Sequence, residues 1–217
     1  PTGTVITGTE ELKMLSDLPL SWMLKAQVLQ GGRGKAYLIR RAADLQQARS
    51  EAADLFASPA DVRKVLVEEQ VRFTREIYLS FTVDPAQAKV LVLISASGGV
   101  DIETLARQSP EEISTLTLEP GRRVMPYQAR ELSFGIGLEG AAASACSSVI
   151  MKLGNLFMSH DAELAEINPL FITDSGEAVA GDGKVIIDDN ALFRQKRFSL
   201  TRDHFSSNAE YDAALEG

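Results

Sequence analysis

From Phe73 to Val83 the chain alternates. Phe73, Ile77, Leu79, Phe81 and Val83 share one parity with Arg75, and Thr74, Glu76, Tyr78, Ser80 and Thr82 share the other. A period of two sends successive side chains to opposite faces of an extended chain, so this stretch predicts a half-buried strand. Lys89–Ser95 follows a turn at Asp84-Pro85-Ala86 and predicts its antiparallel partner. A different period governs Asp44–Phe56, where Leu45, Ala48, Ala52 and Leu55 fall on one stripe and predict a helix.

The same reasoning extends along the chain. A short helix is predicted over Glu10–Leu18, capped by Thr7 or Thr9. Strands are predicted over Ser21–Leu29, Tyr37–Arg40 and Val62–Val71, and later over Leu164–Thr173 and Ala178–Ile187 around Asp174-Ser175-Gly176-Glu177. Helices are predicted over Tyr127–Gly135 and Ala141–His160. Short strands in hairpins mixed with helices imply an α+β fold. Two lobes are expected, with a boundary near Glu68–Val71.

Composition narrows the function. The 217 residues are 45% hydrophobic and 24% charged, an ordinary globular balance. No uninterrupted apolar run reaches the ~18–20 residues of a membrane span, and no basic stretch precedes an apolar one as in a signal peptide. The expectation is therefore a protein without a membrane partner. A net charge of −8 argues against nucleic-acid binding by bulk attraction. The one cysteine, Cys146, lies among small residues and reads as a buried helix position. His160 closes a predicted helix, where dipole capping is its natural role, and neither it nor His204 sits in a metal-ligand or triad spacing.

Gln30-Gly31-Gly32-Arg33-Gly34-Lys35-Ala36 carries three glycines and two cations, a composition suited to phosphate. It is not a Walker loop, because Leu29 stands where the first glycine belongs and Ala36 where the hydroxyl belongs. It is not a Rossmann fingerprint, because Tyr37 stands at the last glycine. A Gly-rich flap between two strands remains. The last hairpin adds a second candidate. With Ser175 at the centre of the turn, Asn168 faces Asp182 and Glu166 faces Lys184, all four on one face. Opposed Cβ atoms sit ~4.5–5.5 Å apart. An amide oxygen and a carboxylate at that spacing suit Mg²⁺, with water and phosphate filling the other positions. The competing reading is a solvated polar patch.

Several longer motifs point to a family. Lys25-Ala26-Gln27-Val28 before Gly31–Ala36 resembles the nucleotide loop of the succinate–CoA ligase β subunit, an ATP-grasp protein. Val65-Leu66-Val67-Glu68-Glu69, Arg75-Glu76-Ile77-Tyr78-Leu79, Ser97-Gly98-Gly99-Val100-Asp101-Ile102-Glu103 and Pro126-Tyr127-Gln128-Ala129-Arg130-Glu131-Leu132 follow in the family's order. Glu166-Ile167-Asn168-Pro169-Leu170, Asp182-Gly183-Lys184 and Asp189-Asn190-Ala191-Leu192-Phe193-Arg194-Gln195 complete it.

The resemblance implies a two-lobed ATP-grasp fold with antiparallel sheets and flanking helices. Residues 1–68 would be the lid subdomain, 69–200 the C-terminal subdomain, and 201–217 a linker towards a flavodoxin-like CoA-ligase domain. A further N-terminal segment would precede Pro1. The resemblance also implies cofactors, ATP or ADP with Mg²⁺. Lys25 would contact the phosphates, and Gly32, Arg33 and Gly34 would cover them. The backbone of Glu68 to Val71 would read the adenine edge from the hinge, and Glu76 would bind the ribose. Asn168 and Asp182 would hold the metal, and no residue is assigned as catalytic.

The implied reaction joins succinate to CoA with cleavage of ATP to ADP and phosphate, an acid–thiol ligation. The implied partner is an α subunit carrying the phosphohistidine and CoA, in a hetero-oligomer of the cytoplasm or mitochondrial matrix, in the tricarboxylic acid cycle. Malate–CoA ligase and the ATP citrate lyase N-terminal region are close relatives within the class, and the resemblance does not separate them. A carboxylase or peptide-forming ligase does not fit Pro126–Leu132 and Asp189–Gln195. A departure from the family is also visible. Tyr37-Leu38 replaces the usual Gly-Gly pair, and the stretch from Lys35 to Glu68 is short, which raises a non-catalytic nucleotide-binding or assembly module as an alternative.

Overall fold

The computed structural model describes residues 1–17, 21–28, 37–198 and 207–216. It divides into two compact units, Pro1–Gln70 with Leu200–Gly217, and Val71–Ser199. The flap residues Gly32, Arg33 and Gly34 lie outside the described residues, as does His204.

The first unit is built on a four-stranded antiparallel sheet in the order β1-β4-β2-β3. The strands are β1 (Gly3–Ile6), β2 (Trp22–Ala26), β3 (Ile39–Ala42) and β4 (Val65–Glu69). Helix α1 (Leu45–Phe56) starts where Asp44 accepts the backbone N–H of Gln47, while Gln47 accepts that of Ala43. This reciprocal cap satisfies donors that the helix itself cannot. Ala48, Ala52 and Leu55 of the expected stripe join the core with Leu24, Val65 and Val67. Leu45 does not, being 37% exposed at the first helical position. The expected helix after Thr9 is a 3-10 helix, Thr9–Asp17, entered through a hydrogen bond from the Thr7 hydroxyl to Glu11. Strand β1 was not foreseen, because four residues are too few to show a period.

The second unit is a six-stranded antiparallel sheet. Its path is β10-β8-β5-β6-β7, with β9 also pairing β8. The strands are β5 (Arg75–Asp84), β6 (Lys89–Ser95), β7 (Ile113–Leu118), β8 (Ala162–Ile172), β9 (Ala178–Ala180) and β10 (Gly183–Ile187). Helix α2 (Ile102–Gln108) and strand β7 went unpredicted, while α3 (Pro126–Gly135) and α4 (Gly140–Ser159) match the helical stretches. A short helix, α5 (Asn208–Glu216), closes the described chain.

The odd parity of β5 (Ile77, Leu79, Phe81) packs with Val92, Ile94, Ile150 and Phe157 in one core. A half-buried strand leaves its even, polar parity open to solvent. Instead Tyr78 and Ser80 are 2% and 1% exposed. Strand β5 lies between β6 and β8, and Ser80 is flanked by Leu93 and Glu166 while Tyr78 is beside Ser95. Both residues lie mid-strand, where side chains of β6 and β8 stand beside them on the same face, while Thr74, Glu76 and Thr82, nearer the ends of the stretch, are not buried. Helix α4 is long and apolar enough, by length and composition alone, to cross a membrane. Its small alanines and serines hid it from a search for an unbroken apolar run. Its stripe of Ala143, Cys146, Ile150, Leu153 and Phe157 is buried in the core of the second unit, as expected for Cys146.

Just past α4, Asp161 is gripped by the Arg194 guanidinium through two bonds of 2.9 Å and by Gln195 at 2.6 Å. The Arg194 bonds hold its carboxyl down at about 2, from an ordinary 3.8. A carboxyl lowered in the fold stabilises above its unfolded value and loses that contribution as pH falls through about 2. Replacing Arg194 by Gln is expected to move the Asp161 midpoint up towards 3.8, read by NMR titration of the carboxyl carbon. An unmoved midpoint would show that Arg194 is not the cause.

Candidate functional site

The last hairpin adopts the register expected from its turn. Glu166 pairs with Lys184 and Ile167 with Gly183, while Leu170 pairs with Ala180. Asn168 and Asp182 therefore stand opposite each other, and the Asn168 N–H donates to the Asp182 carbonyl at 3.1 Å. The register holds across the break between β9 and β10 because both short strands pair with the same long β8.

Beside this pair lies Glu166. Its carboxylate accepts from the Tyr78 hydroxyl at 3.0 Å across 88 positions of sequence. Burial pushes the Glu166 carboxyl up from the usual value, and the Tyr78 bond and nearby Lys184 pull it partly back. Burial also raises the Tyr78 hydroxyl strongly, which keeps it a donor. Glu76, two residues earlier on β5, is raised as well by burial. The polar face of the sheet thus gathers Glu76, Tyr78, Glu166, Asn168, Asp182 and Lys184. Tyr78 carried no role in the sequence, although its place on the polar parity of a central strand was a usable signal.

Asn168 is also held from the other side. Its amide oxygen accepts from the Gly99 N–H at 2.7 Å and its amide nitrogen donates to the Val100 carbonyl at 3.0 Å. These two bonds settle which way the amide faces. A carbonyl oxygen has two lone pairs, so one remains for a ligand. Asp182 uses one carboxylate oxygen to accept the Gly183 N–H at 2.9 Å. Two hard oxygens at directly opposed positions fit Mg²⁺, which takes one or two protein ligands and completes its shell with water and phosphate. Among the described residues no trio of His, Cys, Asp or Glu converges to form a cage.

In the first unit, Lys25 and Glu68 are diagonal neighbours on β2 and β4, where Met23 is the direct partner of Glu68. Their side chains form an ion pair at only 9% and 7% exposure. Glu68 is paired in the sheet with both Gly3 and Met23. Its place is therefore inside β4, with its carboxylate on Lys25, rather than in a hinge with free backbone. The second unit begins at Val71. His160 caps α4, its Nδ1 within 2.8 Å of the Leu156 carbonyl and of the Ser159 hydroxyl. A cavity of about 370 Å³ lined by Thr74, Arg75, Gly137, Glu139, Ser175 and Gly176 includes none of the site residues.

A model of the ATP-grasp domain matches residues 1–172. The chain belongs to the ATP-grasp family. It is 45% identical over its whole length to an ADP-forming sulfoacetate–CoA ligase subunit of Bilophila wadsworthia, of which it covers 58%. It is 42% identical, over 90% of its length, to the β subunit of ADP-forming succinate–CoA ligase of Thioalkalivibrio sulfidiphilus, of which it covers 53%. The chain thus spans little more than half the length of these curated relatives. Among solved structures, ATP citrate lyase from Methanothrix soehngenii superposes with a TM-score of 0.67 at 18% identity, over 97% of this chain and 52% of that one. A protein from Pyrococcus horikoshii superposes with a TM-score of 0.70 at 18% identity, over 87% and 84%. At that identity the likeness is one of ATP-grasp fold.

Proposed function

We propose that this chain is the Mg-nucleotide part of an ADP-forming acid–CoA ligase subunit of β type. The single observation that carries the reading is the opposed Asn168/Asp182 pair, oriented by Gly99 and flanked by Glu166, in an ATP-grasp chain. The whole enzyme converts an acid, CoA and ATP into acyl-CoA, ADP and phosphate. Succinate is the first acid to consider. The similarity to the sulfoacetate–CoA ligase subunit favours a second, a carboxylate bearing a sulfonate.

Asn168 and Asp182 would hold Mg²⁺, which neutralises phosphate charge during transfer. Lys25 is assigned to the phosphates, and its buried partner Glu68 fixes the ammonium. Glu76 is assigned to the ribose hydroxyls, and Gly32, Arg33 and Gly34 to the cover over the phosphates. Val71 follows β4, and backbone at this point is assigned to the adenine edge. A partner subunit carrying CoA and a phosphorylatable histidine completes the proposal. His160 is not assigned that role, and its Nδ1 lies on the Leu156 carbonyl at the end of α4.

The test is a substrate panel. The full-length subunit with its partner is supplied with Mg-ATP, CoA and, in turn, succinate, sulfoacetate, malate or citrate. CoA-dependent ADP release with one of these acids is expected. ADP release with none, together with no calorimetric binding of Mg-ADP, would replace the reading by a non-catalytic module.

A further inference from the structure

The turn Gly98-Gly99-Val100 touches two of the residues assigned to the nucleotide and its metal, Glu76 and Asn168. Gly98 donates its N–H to the Glu76 carbonyl at 3.0 Å. Gly99 gives its N–H to the Asn168 amide oxygen at 2.7 Å, and Val100 accepts from the Asn168 amide nitrogen at 3.0 Å. Gly99 has a φ of +72°, a conformation that favours glycine. A Cβ on Gly99 would lie 2.8 Å from Glu76 Oε2. A Cβ on Gly98 would lie 2.6 Å from the Ile77 backbone nitrogen, which cannot yield as a side-chain tip can.

We infer that Gly99 is a positioning residue for the site, setting Glu76 through its missing side chain and Asn168 through its N–H. The inference rests on the nucleotide reading of Glu76 and Asn168. Two physical facts support it. An amide ligand must present oxygen and not nitrogen to a cation, and the Gly99 donor together with the Val100 acceptor permits only one orientation. The Glu76 carboxylate is the flexible end in the Gly99 contact, so a side chain there displaces that carboxylate, while the φ of +72° strains the backbone whose N–H holds Asn168. One small residue therefore couples ribose recognition to metal recognition.

The test uses the full-length subunit with its partner and the variants Gly99→Ala, Glu76→Ala and Asn168→Ala. Mg-ADP affinity is measured by calorimetry and Mn²⁺ affinity by electron paramagnetic resonance. Gly99→Ala is expected to weaken both affinities by about tenfold, which equals ~1.4 kcal/mol. Adding Gly99→Ala to Glu76→Ala should cost less ADP affinity than Gly99→Ala costs alone, because the carboxylate that Ala would displace is already gone and only the route through Asn168 remains. A merely structural role would give additive losses. Gly99→Ala within twofold of the parent in both affinities, or additive losses in the double variant, would overturn the inference. Should Glu76→Ala and Asn168→Ala themselves leave both affinities unchanged, the nucleotide reading fails first. Gly98→Ala is expected to lower the unfolding temperature, which provides the comparison for a structural effect.

Discussion

Replacing Asp182 by Asn in the full-length subunit, assayed with its partner, is expected to lower ADP-forming turnover by a hundredfold or more. A metal that neutralises phosphate charge is worth several kcal/mol of transition-state stabilisation, and each ~1.4 kcal/mol is tenfold in rate. Asn removes the charge but keeps the oxygen that accepts from Gly183 at 2.9 Å. The half-buried side chain keeps its volume, so the unfolding temperature should hardly move. That contrast gives the test its force. A turnover within threefold of the parent would remove Asp182 from the metal site, and a collapse in stability would make its role structural. Raising Mg²⁺ should recover part of the loss, since a weaker site is filled by mass action.

The second large effect belongs to the Lys25–Glu68 pair. Removing one partner of a buried ion pair leaves an uncompensated charge and costs about 3–5 kcal/mol. Glu68→Ala is therefore expected to unfold the first unit earlier in denaturant, with Lys25 left in a site where the pair is under a tenth exposed. Replacing both residues together, Lys25→Met with Glu68→Leu, should return stability to near that of the parent, because well-packed apolar residues often substitute for such a pair. Mg-ADP affinity should stay lost in the double variant. Restored stability with lost affinity means that the pair is kept for nucleotide binding. Restored affinity would exclude Lys25 from the phosphates, and an unchanged midpoint in Glu68→Ala would show that the pair is not buried in solution.

The two predictions probe different kinds of legibility. The Asn168/Asp182 pairing could be read from the sequence because it is local. A turn centred on Ser175 sets the register of everything beyond it, and a period of two does the rest. The Lys25–Glu68 pair could not be read in this way. Both residues appeared in matching motifs, yet no spacing rule says that β2 and β4 are neighbours, since β3 and α1 lie between them in the chain.

The hydrophobic pattern by itself determined that this is an α+β chain of short antiparallel strands with α1, α3 and α4 between them. The motifs determined the family, and the last turn determined the facing of Asn168 and Asp182. Only the tertiary structure decided that Tyr78 and Ser80, on the polar parity of β5, are buried, because only there do β6 and β8 flank them. It also decided that Tyr78 reaches Glu166 across 88 positions and that Gly99 reaches Asn168 across 69. Periodicity tells which side of its own strand a residue faces. Which residue it meets there depends on strand order, and that is settled by how both faces of the whole sheet are buried at once.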